Sequence, residues 1–489
     1  MPFLCPLKAE ATGSNPVGCA TLRFQSLFEL HHLGYRKDGP SRGTLVQSQA
    51  QPAAARLDVL DAIRGFALCG ILLINIVNMG WLMDSDEPAR GVRDGGLSTA
   101  LWWVQSLLVH GNMRGLFSLL FGASMLLFLA KAERGSATSA EASRLMLRRL
   151  FWLFMFGLVD MSILLWPGDI LNIYAIAGLI VLPFASAKPR TLAIGAAIAL
   201  AGVSVYLAAH QLPKRDIIAQ GPALEARASA GQVLAPPDRK TLETWQHWRT
   251  GQLATPGEID KQRAARLGGY ADNFRYLAKM SFEWLFEWKD TLRWVFDAAG
   301  FMLVGMLLYR LGWIQGKATR RNYLLVALIG YGLGVPLKTL EALRDWDLMM
   351  GVANPDFILF WLPAATMQAA RLLVTLGHAG LFLWCWKAFN LRLVPLQALG
   401  RMAFTGYLGQ SILGAVIFSG FGLGLWGQLS FAGLWLTAAI IWAIEMAFAM
   451  AWLSRFSMGP FEWIWRTLTY GRAPALKLAT PRQRLARAD

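Results

Sequence analysis

The chain has 489 residues, 55% of them hydrophobic and 16% charged, with a mean hydropathy of +0.39; an ordinary soluble domain carries roughly 25% charge. That balance excludes a soluble globular enzyme. Lys plus Arg number 47 against 31 Asp plus Glu, a formal charge of +16, and membrane topology accounts for this excess better than nucleic-acid binding does.

Twenty-one Trp, 27 Phe and 47 Gly fit the interfacial aromatic belts and close helix contacts of a multispanning protein. The four cysteines, Cys5, Cys19, Cys69 and Cys385, follow no disulfide or metal-ligand spacing, so neither redox chemistry nor a metal site is expected.

Residues 1–55 carry no long apolar run and are rich in Gly, Ser, Pro and Gln. They read as disordered. Because the next Met after Met1 is Met79, a start near Leu45 or Val46 is the other reading of this stretch.

From Asp61 onward ten apolar runs recur, near 61–80, 98–131, 147–166, 169–187, 190–210, 291–310, 322–338, 357–386, 397–420 and 430–453. Each is of a length that lets a helix cross roughly 30 Å of hydrocarbon. The second is too long for one straight span, and His110-Gly111-Asn112 near its middle predicts a break into two half-helices. The expected fold class is therefore all-α, a polytopic integral membrane protein of about ten transmembrane helices.

Lys and Arg concentrate in alternate short connections: Lys131, Arg134, Arg144, Arg148 and Arg149; Lys188 and Arg190; Arg310, Lys317, Arg320 and Arg321; Lys387 and Arg392; then Arg455 and the tail. The positive-inside rule places these in the cytoplasm, with both termini. The opposite connections are acidic (Asp84, Asp86, Glu87, Asp94), very short (Trp166-Pro167-Gly168) or mixed (Arg344, Asp345, Asp347).

The chain thus divides into residues 1–55, a first membrane group at 56–210, an extracytoplasmic polar segment at 211–289, a second membrane group at 290–475 and a basic tail at 476–489. The polar segment contains Trp245, Trp248, Trp284 and Trp288 and is expected to be helical, partly packed and a binding element. No internal repeat is found, which weakens a transporter built on inverted repeats. Phe461, Trp463, Ile464 and Trp465 beside Arg466 and Arg472 predict an interfacial helix on the inner leaflet.

Ionisable groups inside a membrane are functional candidates by default. Asp58, Asp61 and Arg64 are spaced three residues apart on the first span. They form either a capping ion pair or an anion-holding group, for which the Arg64 fork is suited. Asn75 follows on nearly the same face and is either interhelical glue or a substrate contact. Arg114 would sit near mid-membrane beside the break, where His110 could serve as acid or base.

Asp169 suits the N-cap of the fourth span, whereas Asp160 has no capping role, and the two could form a carboxylate site for proton transfer. Arg371, His378 and Glu445 are further buried candidates. An Arg371–Glu445 ion pair is one arrangement they suggest. No Gly-x-Gly-x-x-Gly follows a strand pattern, and a P-loop, His-Glu-x-x-His and Gly-x-Ser-x-Gly are missing.

Arg56-Leu57-Asp58-Val59-Leu60-Asp61-Ala62-Ile63-Arg64-Gly65, with Ile74-Asn75-Ile76, resembles the opening span of the YeiB-like bacterial membrane proteins. Gly115-Leu116-Phe117-Ser118, Trp166-Pro167-Gly168-Asp169 and Tyr174-Ala175 match the same pattern. Gly400-Arg401-Met402-Ala403-Phe404-Thr405-Gly406-Tyr407-Leu408-Gly409-Gln410-Ser411 and Gly459-Pro460-Phe461-Glu462-Trp463 look like that family's domain of unknown function 418, and the likeness runs over about 56–475.

The family is similar in turn to a superfamily of membrane acyltransferases whose first span carries a His about eleven residues after the Arg of Leu-Asp-x-x-Arg-Gly. Here that place is Asn75, which cannot act as a base. Gly406 stands where relatives often have Asn, and Asn112-Met113 where many have Lys-Phe.

The resemblance implies a bacterial inner-membrane protein that takes an acyl group from a cytoplasmic acyl-CoA donor and moves it to an extracytoplasmic glycan or lipid acceptor. His110 and Asp160 would be the catalytic residues. Arg64 and Arg401 would hold the donor, and Asp58, Asn75, Arg114, Asp169, Tyr407 and Gln410 would line the path. The alternatives are an exporter of a small organic anion and a non-catalytic membrane factor.

Overall fold

In a computed structural model of the chain, the described residues are 53–83, 89–135, 137–210, 212–250, 256–350 and 357–478. The expectations for residues 1–52, for Asp84, Asp86 and Glu87, for the side chains of Trp248 and Trp288 and for the tail from 479 lie outside them. Gln51–Asp489 form one compact unit.

Seventeen α-helices and no strand are found among the described residues. The first half comprises α1 (Ala53–Gly80), α2 (Gly96–Val104), α3 (Asn112–Arg134), α4 (Ser139–Ser162), α5 (Leu171–Val181) and α6 (Pro189–His210). A more polar group follows: α7 (Leu212–Ser229), α8 (Pro236–Thr250), α9 (Pro256–Leu267) and α10 (Tyr270–Phe286). The second half is α11 (Trp288–Arg310), α12 (Arg320–Met349), α13 (Phe357–Phe389), α14 (Val394–Arg401), α15 (Ala403–Phe418), α16 (Phe431–Leu453) and α17 (Pro460–Tyr470).

Seven segments are long and apolar enough to cross a membrane among the described residues: α1, the α2–α3 pair, α6, α11, α12, α13 and α16. The chain is an all-α polytopic membrane protein. The other three expected spans differ for identifiable reasons. α4 carries Arg148, Arg149 and Asp160 within its apolar stretch. α5 passes at Leu182–Ser186 into a 3-10 turn containing Pro183, so its apolar stretch is short. The expected span 397–420 is broken at Met402 into α14 and α15.

The 96–134 segment breaks where the sequence predicted. α2 runs through a π-helical turn at Gln105–Val109, the chain turns at Gly111 with φ +76°, and α3 begins at Asn112. Positive φ at this point calls for glycine.

Two close helix crossings fix the bundle. At α1–α14, a Cβ on Gly65 would collide with the Leu396 carbonyl and one on Gly400 with the Asp61 carbonyl. At α3–α11, Gly122 faces the Met302 carbonyl and Gly305 the Leu119 carbonyl in the same reciprocal way. Without side chains in between, the backbones approach closely enough for dispersion contacts along the helices.

The α7–α10 segment is helical and packed in part on itself and in part on the bundle. Trp245 is buried with Ile218, Leu224, Leu234 and Leu242 between α7 and α8, and its indole donates to Glu225 at 3.1 Å. α9 docks on the end of α1: Gln262 bridges the backbone N–H and carbonyl of Met83 at 3.1 and 2.8 Å, and Arg266 donates to the Met79 carbonyl at 2.6 Å. Burial pulls the Arg266 guanidinium down to about 10, so it remains a cation at neutral pH. Asn273 and Ser281 of α10 are buried against the bundle as well.

α17, the expected interfacial helix, closes the other end. Its Glu462 reaches the N-terminus of α15, accepting from the N–H groups of Phe404 and Thr405 at 2.8 and 3.1 Å and from the Thr405 hydroxyl. A broken helix leaves N–H groups without partners, and here the cap comes from a residue 57 positions away from Thr405. Arg149 lies over the Trp465 ring at 3.8 Å.

Candidate functional site

A cavity of about 550 Å³ lies inside the bundle. Its lining comes from α1, the His110–Arg114 break, the 161–174 turn, α10, the start of α11, and α12 and α13. The α7–α10 segment reaches this cavity through α10.

The break supplies the deepest polar groups. Gly111 lets the chain turn, and its carbonyl accepts from Arg371 at 3.1 Å. A Cβ at Gly111 would meet the Arg371 side chain, so this glycine is required by space as well as by its φ. Asn112, fully buried, donates to the Leu107 carbonyl at 3.1 Å, and the Thr375 hydroxyl donates to the Asn112 carbonyl at 3.0 Å. These bonds pin the first turn of α3, whose N–H groups give that helix end a partial positive charge.

Two arginines converge on one acid at the same depth. Arg371, 1% exposed, donates to Asp297 at 2.6 and 3.2 Å and to Gln368 at 3.0 Å. Arg114 donates to the same carboxylate at 2.9 Å. A single negative charge therefore faces two positive ones. Arg114 also lies over the Trp294 ring at 3.9 Å, and Arg293, paired to Asp290 at 3.2 Å, lies 4.0 Å from that ring.

His110 lines the cavity and is exposed to it. Near it stands the Lys338–Glu341 ion pair, 2.7 Å long and buried on α12. Asn75 and Asn78 line the cavity from α1. Asp169 lines the opposite wall, where it caps α5: its Oδ2 accepts from the N–H groups of Leu171 and Asn172 at 3.0 and 3.2 Å. The capping role expected for Asp169 and its place at the cavity are both present.

Of the residues singled out from the sequence, Asn75, His110, Arg114, Asp169 and Arg371 are thus brought together. Tyr407 reaches the site indirectly, donating to Asp169 Oδ1 at 3.2 Å. Asp160 is fully buried behind Asp169 and accepts from Ser411 at 3.2 Å.

The rest lie elsewhere. Asp58 is exposed at the start of α1. Arg64 pairs with Asp61 at 2.8 Å and donates to Ser124 at 3.1 Å, and Arg401 is exposed near the Ser457 carbonyl. Gln410 donates to Glu445 at 3.1 Å. The Arg371–Glu445 pair suggested by the sequence does not form, because Asp297 and Gln410 take the two partners. His378 instead contacts the Tyr331 hydroxyl and the Leu108 carbonyl, each at 2.6 Å.

Sequence reasoning missed Asp297, Gln368 and the Lys338–Glu341 pair. Asp297 carried a usable signal, being an acid inside the apolar run Trp294-Val295-Phe296-Asp297-Ala298-Ala299-Gly300.

Residues 308–472 match the family described as a protein of unknown function, DUF418. The chain is 27% identical over 437 residues to YxaH, an uncharacterized protein of Bacillus subtilis, covering 86% of this chain and 97% of the relative. It is 28% identical over 431 residues to YeiB, an uncharacterized protein of Escherichia coli, covering 85% and 97%. An uncharacterized 39.9 kDa protein in the amylase 3' region of Bacillus acidopullulyticus is 28% identical over 420 residues, covering 85% and 94%. No solved structure matches the chain. The relatives cover 85–86% of the chain, in keeping with the likeness read from Arg56 to Arg472: the chain is similar to the YeiB-like proteins along most of its length and matches DUF418 over residues 308–472.

Proposed function

We propose that this protein is an acyltransferase of the bacterial inner membrane, with its acceptor bound in the cavity and His110 as the base. The positive-inside distribution of Lys and Arg puts the cavity end on the extracytoplasmic side. One observation carries the reading: Asn75, at the place of the superfamily's histidine, lines the same cavity as His110. An amide cannot take a proton at neutral pH, but an imidazole on the neighbouring segment can. Asp160, the other candidate base, has no exposure.

In this reading the acceptor hydroxyl gives its proton to His110 as its oxygen attacks the thioester carbonyl carbon. The new C–O bond forms, the C–S bond breaks, and the imidazolium proton passes to the departing thiolate. Arg114 and Arg371, with a net positive charge around Asp297, hold an anionic part of the reactants. The donor, an acyl-CoA, approaches from the end where Arg64 and Arg401 lie. Arg64 is eleven residues from Asn75, about 16 Å along α1.

The rival reading, export of a small organic anion, draws on the same surplus of positive charge around Asp297. Proteoliposomes given acetyl-CoA on the cytoplasmic face and an envelope glycan fraction on the other separate the two. Release of free CoA thiol that is lost in His110→Asn supports transfer. Absence of thiol release from folded protein, with uptake of an organic anion, overturns it in favour of export.

A further inference from the structure

Asp160 and Asp169 are neighbours: Asp169 Oδ2 lies 2.6 Å from the Cβ position of Gly157, three residues before Asp160 on α4, and Tyr407 and Ser411 of α15 bond to Asp169 and Asp160 in turn. Two neighbouring buried carboxylates repel and neither offers a donor, whereas one proton between them turns the repulsion into a hydrogen bond. The surrounding bonds say which residue carries it.

Asp169 is supplied with donors on both oxygens. Oδ2 accepts from the N–H groups of Leu171 and Asn172 and from Asn172 Nδ2, the last at 3.1 Å. Oδ1 accepts from the Tyr407 hydroxyl, whose own oxygen is occupied by the Ile170 N–H at 3.1 Å. That second bond fixes the direction of the Tyr407 proton toward Asp169. Four donors make Asp169 the ionised member.

Asp160 is placed the opposite way. It is fully buried and has one donor, Ser411, on Oδ2. Its Oδ1 meets no N–H or hydroxyl donor among the described residues. A buried carboxylate oxygen without a donor is costly, whereas a protonated one that donates is satisfied.

We propose that Asp160 and Asp169 share one proton, carried on Asp160 Oδ1 and donated to Asp169, and that the pair is a proton-binding site in the cavity wall. Holding the proton, the pair bears one negative charge; without it, two. Tyr407 of α15 is the titratable group bonded to the pair. The charged groups across the cavity are Arg114 of α3, Asp290 and Arg293 of α11, Glu341 of α12 and Arg371 of α13, with His110, Tyr174 and Glu287 the other titratable ones. Loss of the shared proton adds a negative charge to this wall, so an anion in the cavity and the proton favour one another's binding. That consequence rests on the anion-holding role proposed for the arginines; the shared proton does not.

The test is infrared difference spectroscopy of the full chain in nanodiscs, without ligand, followed through a pH titration. The protein should show a protonated-carboxyl C=O band near neutral pH. In Asp160→Asn the amide N–H takes over donation to Asp169, so the intensity of one carboxyl is lost while the fold remains. In Tyr407→Phe, Asp169 loses a donor, the proton is shared more evenly, and the band broadens and moves to lower frequency. A band unchanged in Asp160→Asn overturns the proposal. If that variant does not fold, an unchanged band in Tyr407→Phe overturns it alone. Since no acyl donor or acceptor is present, failure of the acyl-transfer reading leaves this result standing.

Discussion

Arg371 holds both carboxylate oxygens of Asp297 at 2.6 and 3.2 Å, and neither side chain is more than 3% exposed. Arg114 shares the same acid, so Asp297 is a single counter-charge bonded to two guanidiniums. Breaking a buried pair from one side costs about 3–5 kcal/mol, because a charge is left uncompensated. Asp297→Ala should therefore lower the thermal unfolding midpoint in nanodiscs sharply. Adding Arg371→Met removes one stranded charge and should recover part of the loss. No recovery would mean that Asp297 acts through packing.

Among the described residues the His110 imidazole has no hydrogen-bond partner, and it is exposed to the cavity. His110→Asn should therefore leave the unfolding midpoint nearly unchanged. If it is the base, its removal should lower acyl transfer about 10²–10⁴-fold. The comparison of thiol release with thermal unfolding checks both halves, and a variant that loses stability as much as activity would argue for a structural histidine.

The break at His110–Gly111 was legible because an apolar run over 98–131 is too long for one straight span, and because glycine sits where the chain must turn. Arg114 was legible as a costly charge. Its partner was not. Asp297 is 183 residues away, and pairing at that distance is decided by which helices cross, which local periodicity does not record. The same limit explains the misplaced Arg371–Glu445 pair. Glu445 and Gln410 meet on α15 and α16, while Arg371 faces α3 and α11. The break at Met402 was missed because no Pro or turn cluster marks it; its cap, Glu462, comes from another helix.

The α3–α11 crossing depends on Gly305 facing the Leu119 carbonyl and Gly122 facing the Met302 carbonyl. Backbone cannot yield as a side chain can, so a Cβ here must push the helices apart. Gly305→Ala should destabilise by about 1–3 kcal/mol, the range for overpacking a close contact. Gly202→Ala, on α6 with nothing within 4 Å of its Cβ position, should be neutral or slightly stabilising. Thermal unfolding of the two variants side by side checks the prediction, and equal effects would count against the crossing.

Glu462 ties the C-terminal helix to the broken α14–α15 segment through the N–H groups of Phe404 and Thr405. With the Thr405 hydroxyl it forms one cap whose acceptor is fully committed to α15. Glu462→Ala strands those donors in a buried place, at a cost of about 1–3 kcal/mol for an unsatisfied group. Glu462→Gln keeps one acceptor oxygen and should retain part of the stability. The effect should be local: proteolysis or hydrogen exchange should report opening of α15 and α17 before the rest of the bundle. Uniform loss of protection across the helices would instead show that the cap is needed for the whole bundle to assemble.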